Sequence, residues 1–106
     1  MTTADNHPFV AGAILVAAWG HRAANIDFYR VTRVTSKTVV LRRVDARVVE
    51  IVEPTRAVVS PISDAFRSEE QRRRIRRDEG GWHVLLSSWE RASLWDGQPR
   101  VSARFA

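Results

Sequence analysis

Between residue 11 and residue 105 the chain holds several short β-rich runs, most of them closed within a few residues by glycine, proline or serine. Residues 11–19, 27–35, 38–44, 47–52, 56–60, 82–86 and 100–105 all read this way. Runs this short bury their apolar side chains by pairing with one another, so the pattern predicts a mostly β domain. No heptad, internal repeat or low-complexity tract competes with that reading. At this size a barrel hides its edge strands better than an open sheet. The expected fold is a small SH3-like barrel of five to six short antiparallel strands with one short helix near the C-terminus. A small β-sandwich is the alternative, followed by a split sheet crossed by one helix. Residues 1–8 read as a polar leader and residues 9–106 as one domain.

Local signals refine the strands. Residues 11–19 are apolar in both parities, which predicts a strand buried on both faces. The step from Tyr29 and Val31 to Val34 breaks alternation and predicts a β-bulge near Thr32-Arg33. Thr35-Ser36-Lys37 predicts a hairpin link. Pro54 and Pro61 confine residues 56–60 to an edge, because proline donates no ladder hydrogen bond. Residues 63–77 fit a solvated strand or a helix end equally well, whereas Gly80-Gly81 predicts a hairpin that pairs the basic arm with Trp82-His83-Val84-Leu85-Leu86. Ser87-Ser88-Trp89-Glu90 has the spacing of a capping box and predicts a two-turn helix, stopped by Asp96-Gly97 and Pro99. The final run alternates, with Val101, Ala103 and Phe105 expected on one face and Arg100, Ser102 and Arg104 on the other. Of the four tryptophans, Trp19 and Trp89 are assigned to the core, and Trp82 and Trp95 to the surface.

Composition narrows function. The 106 residues carry a net charge of +5, and Lys37 is the single lysine among 17 basic residues. Such a balance points to an anionic partner, and arginine suits phosphate because its fork binds it bidentately. There is no cysteine, so disulfides and thiolate metal sites are excluded. The longest apolar stretch, residues 9–19, is about half the ~20 residues of a membrane span, and no basic segment precedes it as a signal peptide requires. A cytoplasmic protein without membrane contact is expected.

Two arginine sets are candidates for nucleic-acid contact. Arg30, Arg33, Arg42 and Arg43, with Lys37 and Arg47 nearby, belong to the second and third strands; Arg72, Arg73, Arg74, Arg76 and Arg77, with Arg67, form the basic arm. Trp82 beside that arm could stack on an exposed base. The competing reading is a solvated arginine surface partly paired with Glu69, Glu70, Asp78 and Glu79. His21, Asn25, Asp27 and Tyr29 could gather as an acid–base site, but the same residues serve equally as turn and core chemistry. No catalytic residue is assigned. His7, His21 and His83 lack metal-ligand spacing, and Gly80-Gly81 lacks the tail of a phosphate loop, so no metal and no cofactor is expected.

The run Trp19-Gly20-His21-Arg22-Ala23-Ala24-Asn25-Ile26-Asp27-Phe28-Tyr29-Arg30-Val31, with Ser93-Leu94-Trp95-Asp96-Gly97-Gln98-Pro99 near the end, resembles a family of small phage and mobile-element proteins. The motif positions are Trp19, Gly20, Asn25, Asp27, Phe28, Tyr29, Leu94, Trp95, Asp96 and Gly97. The match departs at Ala17-Ala18, where serines are usual, and at residues 21–24, where Tyr, Asp, Gln and Thr are usual. The resemblance implies a phage origin and a host cytoplasm, and it supplies no reaction. Two functions therefore stand: a basic module that binds DNA or RNA with little sequence readout, or a phage protein that captures a host defence or metabolic enzyme through Trp95 and the arginines. An enzyme comes last, and a homo-oligomer is compatible with either.

Overall fold

A computed structural model describes residues 7–103. Nine strands follow in order: β1 (Ile14–Trp19), β2 (Asn25–Val34), β3 (Thr38–Glu53), β4 (Arg56–Phe66), β5 (Gln71–Arg74), β6 (Arg76–Asp78), β7 (Gly81–Leu85), β8 (Arg91–Leu94) and β9 (Arg100–Ala103). They form one antiparallel sheet in the order β6-β7-β8-β1-β2-β3-β4-β9, with β5 also on β3. The sheet curls into a half-barrel. Its β9 edge returns to the start of β2, where the Ala103 N–H donates to the Ala24 carbonyl at 2.8 Å.

The sheet is buried on both faces at its centre, as residues 11–19 predict. Leu15, Val16 and Ala17 are consecutive and all buried. Leu15 and Ala17 join Phe9, Tyr29, Val31, Val39, Leu41, Val84 and Ala92 in one core, while Val16 joins Phe28, Val44, Ala57 and Val59 in another on the opposite face. Period-two side-chain direction makes this inevitable once β1 is central. Each fully buried aliphatic side chain contributes about 1.5–3 kcal/mol, so neither core is dispensable. The register break between Val31 and Arg33 places the bulge where alternation failed, and Thr32, the extra residue, donates its hydroxyl to the Val40 carbonyl at 3.2 Å.

Several expectations are corrected. The C-terminal helix is absent: Ser87–Glu90 is a tight turn in which the Leu86 and Ser87 N–H groups both donate to the Glu90 carbonyl, at 2.8 and 3.4 Å. It delivers β8 between β7 and β1, and two ladders of backbone hydrogen bonds outweigh a marginal two-turn helix. Residues 38–44 and 47–52 are one 16-residue strand. Residues 56–60 lie within β4, which is flanked by β3 and β9 and is no edge. Pro61 is tolerated because the register breaks beside it: Val44 faces Phe66 and Ala46 faces Pro61, leaving residues 62–65 unpaired on β3. Among the described residues nine strands replace five or six, and a single curled sheet replaces the sandwich alternative.

The tryptophans are also reassigned. Trp89 sits at the tip of the Ser87–Glu90 turn and is 82% exposed, and Trp19 is 40% exposed. Trp82 packs against the first core, and Trp95 meets Phe28 edge-on at 5.8 Å. In β9 Ser102 is buried and Val101 is exposed, the reverse of the expected parity. Ser102 is satisfied there because its Oγ accepts the Ile26 N–H at 3.1 Å. The expected inward Phe105 and outward Arg104 lie outside the described residues, as does most of the leader. His7, within the leader, meets the Thr35 carbonyl through Nε2 at 3.0 Å and the Trp82 ring edge-on.

Candidate functional site

Cross-strand partners share a face, so the pairing register sorts the arginines. Val39 and Leu41 of β3 point into the Tyr29 core. Val40 and Arg42 therefore point the other way, with their partners Arg30 and Arg33 on β2 and Arg72 on β5; Arg74, opposite Thr38, follows the same parity. Arg30, Arg33, Arg42, Arg72 and Arg74 are thus gathered across three adjacent strands on the Phe28 face. Arg43 and Arg73 project on the Tyr29 face. Arg76 and Arg77 stand apart on β6, because the basic arm splits at Ile75: β5 pairs with β3, and only β6 pairs with β7 across Gly80-Gly81. The expected single basic ribbon is corrected accordingly.

Arg30 and Arg42 face each other directly, an arrangement that costs stability unless something compensates. Phe66 does. The Arg42 guanidinium lies 4.2 Å from the ring centroid and that of Arg30 lies at 6.0 Å, within cation–π range. Arg42 Nε donates to the Ser68 carbonyl at 2.9 Å and Arg30 Nη1 to the Ser63 carbonyl at 3.3 Å. Both acceptors are neutral, so the positive charge is oriented and not cancelled. Among the described residues Arg30, Arg42, Arg72 and Arg74 form no ion pair. Arg33 is the exception on this face, 3.7 Å from Glu70, whose second oxygen accepts from the Thr32 hydroxyl at 3.2 Å. Beside Arg30 and Phe66 a hollow of about 360 Å³ is lined by Ala11, Gly12, Val31 and Thr32.

On the opposite face Arg43 is neutralised, whereas Arg73 donates only to neutral acceptors, the Arg72 and Leu86 carbonyls and the Gln71 side-chain amide oxygen. Asp27 accepts from Trp19 Nε1 at 2.9 Å and from Arg43 Nη2 at 3.0 Å. Glu90, placed near Asp27 by the β7–β8 turn, has a buried Oε2 without a hydrogen-bond partner, and burial with the Asp27 charge pushes its pKa up. Burial, reinforced by Glu90 and Asp27, raises the Tyr29 phenol to about 12 and keeps it neutral. Of the four residues considered for acid–base work, Asp27 and Tyr29 come together here, Asn25 donates to the Trp19 carbonyl at 3.4 Å, and His21 is exposed on the turn before β2. A side chain at Gly20, where φ is +85°, would collide with the Asn25 amide.

The remaining motif positions have structural work. Trp95 Nε1 donates to the Gln98 carbonyl at 2.7 Å, and Asp96 Oδ1 accepts the Gln98 N–H at 2.9 Å. This turn, with Gly97 at φ +86°, seats Trp95 on Phe28, while Leu94 stays partly exposed. Trp82 is not a free stacking platform, because the Arg77 guanidinium covers its ring at 5.0 Å. Sequence reasoning missed Phe66, Ser68 and Glu90. Phe66 had a signal, an isolated aromatic within a polar, basic segment. Ser68 and Glu90 act through contacts that only the fold creates. No protein-family model, curated protein or solved structure matches this chain.

Proposed function

We propose that this is a small basic module, phage-derived as its resemblance suggests, that binds the sugar–phosphate backbone of DNA or RNA on the Phe28 face of its sheet. The observation that carries the reading is the Arg30–Arg42 pair, held side by side on Phe66 with neutral acceptors behind it and Arg72 and Arg74 on the same face. An anion bridging two such guanidinium groups relieves their repulsion and gains charge-assisted hydrogen bonds. The hollow beside Phe66 would receive a phosphate or an unstacked base. The curled sheet would then work as SH3-like and related small barrels do, through one open face.

The test is fluorescence anisotropy of the nucleic-acid-free protein with labelled single- and double-stranded DNA and RNA across a salt series. The expected result is binding that weakens steeply with salt. Replacing Arg30, Arg42, Arg72 and Arg74 by alanine should abolish it, while Arg76→Ala with Arg77→Ala should weaken it much less, since β6 pairs with β7 and not with β3, and Arg77 already lies over Trp82. Absence of binding at low salt overturns the proposal.

A second reading rests on Trp89. An aromatic 82% exposed at a turn tip is the kind of anchor a protein interface uses, so a host-protein partner would dock there and not at Trp95. Capture of a host protein lost in Trp89→Ala but retained in the arginine variant would favour it.

A further inference from the structure

β3 outruns its neighbour. On one edge β4 follows it to Glu53, but on the other β2 pairs only with residues 39–44. From Ala46 to Glu53 that second edge has no strand beside it among the described residues. Val48, Val49, Ile51 and Val52 on this segment are each 50–57% exposed. Register breaks between Val48 and Glu50 and between Ile51 and Glu53 leave Val49 and Val52 as extra, unpaired residues. The bulges explain why apolar side chains crowd a stretch that would otherwise alternate with polar ones. An exposed strand edge of β-branched residues is a template for another strand.

The geometry points to a second copy of this chain as the occupant, added antiparallel to β3 about a two-fold axis at Glu50. The segment Arg47-Val48-Val49-Glu50-Ile51-Val52-Glu53 is complementary to itself when reversed. Val48 then faces Val52 of the second copy, Val49 faces Ile51, and Arg47 faces Glu53 at both ends. One like-charge contact, Glu50 with its own copy, falls on the axis and is outnumbered by the two ion pairs. Glu53 already lies 3.8 Å from Arg56 within the chain, and exchanging one exposed pair for another costs little. A two-fold contact of this kind is closed, so it yields a dimer and not a fibre. The apolar surface at stake is about 300 Å² per copy, below the roughly 800 Å² of a standard interface side, so the dimer is a weak, micromolar one.

The test is sedimentation of nucleic-acid-free protein from about 1 µM to about 500 µM, the range that brackets such a contact. The mass should rise from 12.1 kDa towards that of a dimer. Val49→Lys, at an exposed bulge, should remain monomeric with an unchanged thermal melt. Arg47→Glu should weaken association roughly tenfold by turning two attractive contacts repulsive. Adding Glu53→Arg to it should restore association. A wild-type chain that stays monomeric throughout, a Val49→Lys chain that dimerises as well as wild type, or a double reversal no tighter than Arg47→Glu alone overturns the proposal.

Discussion

The two faces of the β2-β3-β5 region carry the same residue type to opposite ends. On the Tyr29 face Arg43 is spent on Asp27, which also holds Trp19, and two carboxylates and a phenol share one partly buried cluster. On the Phe28 face Arg30 and Arg42 are braced against an aromatic ring and carbonyls, and their charge remains available. Net charge alone did not separate these roles. Strand parity did: adjacent arginines such as Arg42 and Arg43, or Arg72 and Arg73, are sent to different environments by a single residue step. Arg43 is thereby set apart from the presented pair Arg30 and Arg42, while Arg73, on the same face as Arg43, is held by carbonyl and amide oxygens alone.

The largest break in that comparison comes from Phe66→Ala. The ring is half-buried against the Phe28 core and braces both guanidinium groups. Its loss should cost about 2 kcal/mol, roughly half the penalty of truncating a fully buried phenylalanine, read as a drop in the denaturation midpoint. Nucleic-acid affinity should fall as well, although no arginine is removed. Phe66→Leu, which keeps apolar volume but not the π face, should recover most of the stability and less of the affinity. Equal recovery of both would mean that the ring only fills space.

Next is Asp27→Asn on the opposite face. The substitution leaves Arg43 without its ion pair and weakens the acceptor for Trp19 Nε1. A charged hydrogen bond that is half open to solvent is worth about 1 kcal/mol, and the loss should appear in chemical denaturation with nucleic-acid binding unchanged. Binding that falls with stability would show that the two faces are coupled.

Much of the fold was legible because its signals are local. The hairpin at Gly80-Gly81, the bulge at Thr32 and the two-faced burial of β1 each follow from turn chemistry or alternation within a few residues. The failures share the opposite property. Ser87 and Glu90 have capping-box spacing, yet the β8 residues that follow were claimed by β7, just before the turn, and by β1, far away in sequence. Ser102 points inward because Ile26, far away in sequence, offers it a hydrogen bond. In the candidate site the arginines were readable as a set, but not their division between faces, since the partner of β5 was undetermined until β3 proved long enough to pair with β5 and β4 in turn.

Glu90→Gln gives a smaller effect of opposite sign. Burial and the neighbouring Asp27 raise the pKa of this carboxyl in the folded state. Ionising it therefore costs the folded state stability, a cost absent below the unfolded value of about 4.3 and growing as pH rises through the folded value. The glutamine variant should melt a little above wild type at pH 7, with the difference vanishing near pH 4. A variant that melts lower at neutral pH would mean that the buried Oε2 has a favourable role the cluster geometry does not account for.

The smallest effect separates local pairing from the sorting by face. Asp78, on the β6–β7 hairpin, accepts both Arg91 Nη groups at 2.9 Å and the Gly80 N–H at 2.8 Å, and these hold its pKa down to about 2 from an ordinary 3.8. A depressed carboxyl stabilises the fold fully above its unfolded value, and that contribution is lost as pH falls from about 4 through about 2. The pair is open to solvent and screened by salt, so Asp78→Asn should lower the melting temperature only slightly at pH 7, with the difference shrinking as pH falls from about 4 and vanishing only below about 2. Binding on the Phe28 face should be indifferent to it, because this arginine serves the hairpin alone. If Asp78→Asn instead altered nucleic-acid affinity, the presented set would have to include the β6–β7 hairpin, and Arg76 and Arg77 would return as contacts.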